Sequence, residues 1–215
     1  MGFKWGLAFL VGFFALALGN KTFAESSASS HVAITLLLFD DTHSGSSSLS
    51  LAEEQAAEIF HYAGVDTTWI YCSDGTENGS CRWPLPPNTF MVHLVAHGKT
   101  SSDLVYGSAF LGAQGEGMYC DIFLDRIDRD QLAGIDADRL LGTVIAHEVG
   151  HLLLGLHAHS AGGLMKSSWG HEEMRRISMG ALLFAPDQSS LIRARVREAT
   201  RPYAPIHRVR MQALP

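Results

Sequence analysis

The stretch His147-Glu148-Val149-Gly150-His151 decides how the rest of this sequence is interpreted. Two histidines four positions apart project from the same face of an α-helix, about one turn from each other. Both imidazoles can then reach one metal ion, and zinc accepts nitrogen ligands at about 2.0–2.1 Å. In this H-E-x-x-H pattern the glutamate is a general base rather than a ligand. The stretch therefore predicts His147 and His151 as metal ligands and Glu148 as a catalytic residue.

The residues around the motif predict the helix that this interpretation requires. No proline interrupts 141–156, and Gly155 is suited to end a helix. The alternative is a buried helix whose two histidines are hydrogen-bonded but bind no metal. Two further histidines and a Gly-Leu-Met sequence follow directly, which favours the metal site. The apolar residues at helical spacing are Leu141, Val144, Ile145, Val149, Leu152 and Leu153.

The amino-terminal residues Met1–Ala24 have the pattern of a secretory signal peptide. Lys4 provides a positive start, an apolar run covers 5–19, and small residues precede Glu25. The run is shorter than the ~20 residues of a spanning helix, so an uncleaved anchor is the less favoured alternative. We therefore expect a secreted or periplasmic protein with no stable membrane span after cleavage. One domain over 25–200 and a loosely ordered tail over 201–215 are expected in it.

Charge and cysteine content restrict the partners and the compartment. Loss of Lys4 and Lys21 with the signal peptide changes the formal net charge from −6 to −8. This acidic balance argues against nucleic acid as a partner. In an oxidising compartment a Cys72–Cys81 disulfide is expected across a polar loop, with Cys120 buried in a strand. The spacing of the cysteines does not match a zinc site.

The remaining sequence predicts alternating strands and helices. The first strand–helix–strand unit favours parallel pairing through a right-handed crossover, with Ser50 and Glu53 as the capping box of its helix. An edge strand is expected over 106–112 because of its glycine, and a polar connection with some helical character over 128–139. We expect His93 to be a core or edge histidine rather than a ligand. The predicted strands cover 31–39, 65–72, 90–96, 106–112 and 117–127, and the further helices cover 50–64, 171–180 and 186–200.

A catalytic zinc site has three protein ligands and one open position. The motif helix supplies two of them, and the helix must end before the third can return to the metal. His157 and His159 both follow Gly155, and both are candidates.

The motif and the residues after it resemble the metzincin metallopeptidases, whose pattern is H-E-x-x-H-x-x-G-x-x-H with a downstream methionine turn. More specifically, 147–165 resembles exported bacterial proteins of predicted metzincin type that share H-E-[IV]-G-H-L-L-L-G, a later His-Ser and Gly-[IL]-Met. The same group has A-G-[VI]-x-x-x-W-x-x-C-S near 63–73 and a Cys followed by Pro-Leu-x-Pro near 81–87. The similarity extends from about residue 31 to about residue 200. It implies an α/β (α+β) fold, with a mixed five-stranded sheet, an active-site helix, a methionine turn and a small C-terminal helical subdomain.

This sequence departs from the wider metzincin pattern at the glycine, which is Gly155, because Leu154 occupies the expected position. One additional helical residue rotates the exit of the chain by ~100°, so the usual spacing, which would select His157, should not hold. The exported group has its histidine in the His-Ser context. The resemblance therefore favours His159 as the third ligand, with His157 in reserve.

The resemblance implies a zinc-dependent hydrolase that acts on peptide or protein substrates. Glu148 would take a proton from the attacking water and deliver it to the leaving amine. Met165 corresponds to the turn methionine, which lies under the metal without binding it. Trp169 stands near the position where some metzincins have a metal-contacting tyrosine. Two alternatives stay open, namely an inactive metal-binding protein of the envelope and a zinc hydrolase of a non-peptide amide.

Overall fold

The computed structural model describes residues 1–2, 31–42, 46–72, 81–98, 105–132 and 134–200. Apart from Met1 and Gly2, the predicted signal peptide lies outside these ranges, as does the tail over 201–215. Within the described ranges, no helix is long and apolar enough to cross a membrane. The elements in chain order are β1 (Val32–Asp40), α1 (Ser46–Tyr62), β2 (Val65–Cys72), β3 (Thr89–Val95), β4 (Gly107–Phe110), β5 (Tyr119–Phe123), α2 (Leu124–Leu132), α3 (Ala137–Leu154), α4 (His171–Ser178) and α5 (Pro186–Ala199).

Five strands form one sheet in the order β2-β1-β3-β5-β4. The first four strands of this order are parallel, and β4 pairs antiparallel with β5 at the edge. Strand β1 is apolar almost throughout, and its residues Leu36 and Leu37 are both fully buried although they point to opposite faces. Such a strand is covered on both sides. The predicted mixed five-stranded sheet and its edge strand are confirmed.

Helices α1 and α3 pack on one face of this sheet and enclose the main core. Alternate residues of β1, Ile34, Leu36 and Leu38, join this core together with residues from both helices. Gly142 of α3 lies directly against Ala52 of α1, so the two helices approach closely. Helix α3, which carries the metal motif, is therefore held between α1 and the sheet.

The boundary predicted after the fifth strand is wrong, because a helix begins earlier than predicted. The predicted strand over 117–127 ends at Phe123, where α2 begins, since buried Ile127 lies three residues after Leu124 and continues a helical face. The connection over 128–139 has the predicted helical character, since it consists largely of the end of α2 and the start of α3. Asp136 caps α3, because its side chain accepts a hydrogen bond from the backbone N–H of Arg139 at 3.1 Å.

The capping box predicted at Ser50 was also wrong, because α1 begins at Ser46. Leu49 is buried and lies three residues before buried Ala52, so the apolar face of α1 extends further towards the amino terminus than predicted. Strand β4 is shorter than the predicted 106–112 and covers Gly107–Phe110.

The cysteine predictions are confirmed. Cys72 at the end of β2 forms a disulfide with Cys81, with Cα atoms 5.9 Å apart. Cys120 is a free, fully buried thiol in β5.

His93 is half-buried in β3, with Nδ1 3.9 Å from an oxygen of Asp121, and so is a sheet histidine as predicted.

Candidate metal centre

Helix α3 brings the imidazoles of His147 and His151 together. Their Nε2 atoms lie 3.2 Å apart, and their rings meet edge to face with centroids separated by 4.8 Å. Two nitrogen ligands at ~2.05 Å from a tetrahedral zinc lie about 3.3 Å from each other. The separation of the two nitrogens therefore fits a shared metal ion.

The backbone carbonyl of Leu164 fixes the orientation of His147. A carbonyl oxygen only accepts hydrogen bonds, so Nδ1 of His147, 2.8 Å from this oxygen, carries the proton. The lone pair of this ring is then on Nε2, the atom that faces His151. Nε1–H of Trp169 donates to the same carbonyl at 3.2 Å.

His159 lies beside both helical histidines. Its ring centroid is 4.7 Å from that of His151 and 5.8 Å from that of His147. One ring nitrogen from each of the three residues lies within 4.8 Å of the other two. The structure thus brings together the three residues that the sequence analysis favoured as ligands.

The end of α3 explains how the chain returns to this place. The helix ends at Gly155, whose φ is 77° and whose N–H donates to the carbonyl of His151 at 2.8 Å. Glycine adopts this conformation without the steric cost that a side chain would bring. His157 also has a positive φ, 64°, and is exposed. Among the described residues, it is not part of a group that could hold a metal.

The backbone on both sides of His159 is anchored. The carbonyl of Ala158 accepts a hydrogen bond from Nε2 of Gln188, a buried side chain of α5, at 3.1 Å. The N–H of Ser160 donates to the carbonyl of Met165 at 2.9 Å. The loop after α3 is therefore held by α5 on one side and by its own return segment on the other.

Glu148 is buried between α3 and β4. A Cβ atom on Gly107 of β4 would lie 2.7 Å from Cγ of Glu148 and 2.8 Å from the carbonyl oxygen of Asp121. The glycine thus makes room for the glutamate. Burial raises the pKa of Glu148 to about 8, although a hydrogen bond with the backbone of Ala109 acts in the opposite direction.

The two helical histidines are neutral at pH 7. Burial lowers the pKa of His147 to about 4, and the Leu164 carbonyl only partly opposes this. Burial also lowers the pKa of His151 to about 4, and repulsion from the neighbouring imidazoles adds to it. Neutral imidazole is the form that binds metal, and three imidazole nitrogens with one open position are a donor set that suits zinc.

Met165 lies under the motif helix. It is fully buried, and a Cβ on Gly150 would lie 2.7 Å from its sulfur. The glycine inside the motif thus permits α3 to contact the turn that carries Met165. The burial is as predicted, and the role of the methionine under the metal stays a prediction.

A cleft of about 270 Å³ opens onto these residues. Strand β4 forms one wall, and Lys166 and Trp169 lie on another. The rings of Tyr106 and Trp169 are stacked with centroids 5.9 Å apart, and the hydroxyl of Tyr106 donates to Asp130. Tyr106 and Trp169 therefore form an ordered aromatic rim beside the histidines.

No local sequence pattern identifies Gln188, Gly107 or the Leu164 carbonyl as parts of the site. Pro186 is suited to the first turn of α5, where the oxygen of Gln188 accepts a hydrogen bond from the N–H of Ala185 at 3.2 Å. The sequence pattern does not indicate that the other end of the Gln188 side chain reaches the loop of His159. The contact between Gln188 and Ala158 joins residues 30 positions apart in the sequence, and no local pattern encodes it.

No family model matches the sequence, and no curated protein matches it. Among solved structures, archaemetzincin from Methanopyrus kandleri is similar over 80% of this chain and 99% of its own, with 16% identity and a TM-score of 0.47. Metalloproteinase-II from Bacteroides fragilis is similar over 77% of this chain and 53% of its own, with 10% identity and a TM-score of 0.49. Myroilysin is similar over 59% of this chain and 49% of its own, with 19% identity and a TM-score of 0.32. These are distant structural neighbours, and membership of the metzincins stays a prediction.

Proposed function

We propose that the protein is an exported zinc-dependent hydrolase of peptide bonds. His147, His151 and His159 would hold the metal, and Glu148 would be the general base. One observation carries this proposal: three imidazole nitrogens converge at an open cleft, which is also lined by the buried carboxyl group of Glu148, next to His147 on α3.

A zinc ion held by these histidines would supply Lewis acidity, which polarises a carbonyl oxygen and brings the pKa of a water molecule towards ~7. The pKa of Glu148, which burial raises, would be lowered by the positive charge of a bound ion, and the ionised carboxylate would accept a proton from the water as the water oxygen forms a bond with the carbonyl carbon. The same carboxyl group would then deliver that proton to the nitrogen as the carbon–nitrogen bond breaks. Leu164 keeps His147 in the tautomer whose Nε2 can bind a metal.

The position of β4 supports a peptide as the substrate. This strand is the outer strand of the sheet and lines the cleft. The backbone of Ala109 is hydrogen-bonded to Glu148, so β4 lies against the proposed base. The outer edge of a strand offers backbone groups to an extended peptide, which would lie along the cleft as an additional strand.

The Cys72–Cys81 disulfide supports export. Disulfides persist in oxidising compartments and are rare in the cytosol. Together with the signal-peptide pattern of Met1–Ala24, it supports a secreted or periplasmic location. The test is the mass of the protein recovered from outside the cytoplasm, where a mature chain that begins at Glu25 is expected. An intact amino terminus on cytoplasmic protein would contradict export.

Hydrolysis of denatured casein by Glu148→Gln tests the proposed function. Glutamine keeps the size of the side chain but cannot take up the proton, so we expect zinc content to be kept and the rate to fall about 10²–10⁴-fold. Glu198→Gln, at an exposed position of α5, is the matched control and should keep the wild-type rate. A chelator should abolish wild-type hydrolysis, and zinc should restore it.

The same assay distinguishes the alternatives. Wild-type protein that contains zinc but cleaves neither casein nor small amides would be a metal-binding protein without hydrolase activity. Cleavage of small amides but not casein would indicate the non-peptide hydrolase. Full casein hydrolysis by purified Glu148→Gln would contradict the assigned role of Glu148.

A further inference from the structure

A second group of potential metal ligands lies away from the cleft. It consists of His31, just before β1, His61 near the end of α1, and Asp66 at the start of β2. Strand β2 is at the opposite edge of the sheet from β4, which lines the cleft. This group is therefore separate from the proposed catalytic site.

The three side chains meet at one carboxylate oxygen. Nδ1 of His31 lies 3.0 Å and Nδ1 of His61 lies 3.4 Å from Oδ1 of Asp66. The two rings lie close together, with centroids 4.6 Å apart. Ligand atoms bound at ~2.0–2.2 Å to one metal lie about 2.8–3.6 Å from each other, in octahedral or tetrahedral geometry. Both measured distances fall in this range.

All three residues are exposed, and their backbone positions are fixed without a metal. Ala33 of β1 is paired with Asp66 of β2, and the N–H of Val32 donates to the carbonyl of Gly64 at 3.2 Å. The turn between α1 and β2 is closed by a hydrogen bond of 2.8 Å from Gly64 to the carbonyl of His61. Ligands that are already in position lose little conformational entropy when they bind a metal.

The surroundings favour a cation. A depression of about 460 Å³ adjoins the group, and the carboxylates of Glu54 and Glu58 line it beside His61 and Asp66. These acidic side chains create a negative potential that attracts a positive ion, and the depression leaves room for water as further ligands.

We propose that His31, His61 and Asp66 bind one divalent transition-metal ion, such as Zn²⁺, Cu²⁺ or Ni²⁺. Imidazole ligands suit these metals, whereas Mg²⁺ and Ca²⁺ prefer sites made of oxygen atoms only. The bound ion links the beginning of β1, the end of α1 and the beginning of β2. Water occupies its remaining coordination positions.

Zinc stoichiometry tests this proposal on purified protein that carries no histidine tag. After equilibrium dialysis against micromolar Zn²⁺, we expect two zinc ions per wild-type chain and one per chain in His31→Ala, His61→Ala and Asp66→Asn. The matched control is His97→Ala. It also removes an exposed histidine beside a carboxylate, that of Asp125 at 3.8 Å, and should keep two ions.

Variants of the two sites separate the two proposals. His147→Ala should remove the other zinc ion and leave the one at His61. One ion per wild-type chain that His61→Ala keeps and His147→Ala loses would overturn the second site and leave the proposed function intact. The reverse pattern would overturn the proposed function alone. Circular dichroism would verify that each variant is folded.

In wild-type protein, zinc should also shift the ring NMR signals of His31 and His61, and unchanged signals would overturn the second site.

Discussion

The carbonyl oxygen of Leu164 shows how one backbone atom can order the candidate metal centre. It accepts hydrogen bonds from Nδ1 of His147 and from the indole of Trp169. The imidazole and the indole thus depend on one acceptor, and their rings stand edge to face with centroids 5.3 Å apart. The tautomer of His147 follows from this carbonyl, so the ring is ready to bind a metal before one arrives.

The choice between His159 and His157 is a prediction at the scale of single residues. His159→Ala should lose most of the zinc at the catalytic site, because its ring is the one beside His147 and His151. His157→Ala should keep that zinc, since its side chain is exposed and lies outside this group. The measurement is zinc content after dialysis, with His61→Ala in both proteins so that only one site is counted. Loss of zinc from the His157 variant alone would reverse the assignment.

Gly107 gives a second prediction at this scale. In Gly107→Ala the new methyl group would lie 2.7 Å from Cγ of Glu148, and the backbone of Asp121 blocks movement on the other side. Glu148 must then shift, and a displacement of ~1 Å in a catalytic group can reduce the rate about 10²-fold. We expect this loss in kcat/KM for a peptide substrate, with zinc content kept.

The control for this variant is Gly162→Ala, where a Cβ would meet no atom within 4 Å. Its kcat/KM should equal that of the wild type. Equal activity of Gly107→Ala and Gly162→Ala would show that the position of Glu148 does not depend on the absence of a side chain at 107.

At the scale of the elements, local patterns predicted what local interactions determine. The apolar spacing around His147 predicted α3, and Gly155 predicted its end. The starts of α1 and α2 were missed because Leu49 and Ile127 are buried by tertiary packing. The approach of His159 to the metal motif depends on Gln188 in a distant helix. Which residues form the candidate site could therefore be predicted from the sequence, whereas the contacts that orient these residues could not.

The contact between α1 and α3 gives a prediction for the elements. A Cβ on Gly142 would lie 2.8 Å from Cβ of Gln55 and still closer to the backbone carbonyl of Ala52. Alanine favours a helix by up to ~1 kcal/mol over glycine, but overpacking a core costs about 1–3 kcal/mol. Backbone atoms of α1 cannot move aside cheaply, so we expect Gly142→Ala to lower the free energy of unfolding by about 1–2 kcal/mol.

Urea unfolding followed by circular dichroism measures this change. Gly162→Ala is again the control and should unfold at the wild-type urea concentration, because its methyl group meets open space. A more stable Gly142→Ala protein would mean that α3 can move away from α1 and that helix propensity dominates at this position.

For the whole molecule, the two proposed metal sites would act at different places in one fold. The proposed catalytic site joins α3 to the loop that follows it, which α5 holds through Gln188. The second site joins β1, α1 and β2 at the other edge of the sheet. Between them lies the core that α1 and α3 share with the sheet. Metal binding at either site would therefore stabilise contacts that hold together different parts of the chain.

Removal of zinc should lower the thermal stability, and the His61→Ala background isolates the catalytic site. A ligand that binds only the folded state adds about 2.7 kcal/mol when present at 100 times its Kd. For a chain of this size, 1 kcal/mol corresponds to ~2–4 °C in Tm, so a chelator should lower the Tm by about 5–10 °C.

The double variant His61→Ala/His159→Ala separates this effect from other actions of the chelator. It lacks a ligand of each site, so its Tm should already be low and should not respond to chelator, because no bound ion remains to be removed. His61→Ala/His157→Ala should respond as strongly as His61→Ala alone, since exposed His157 lies outside the described ligand groups. A chelator-induced decrease of equal size in the His159 double variant would mean that the stabilising ion is bound elsewhere in the chain.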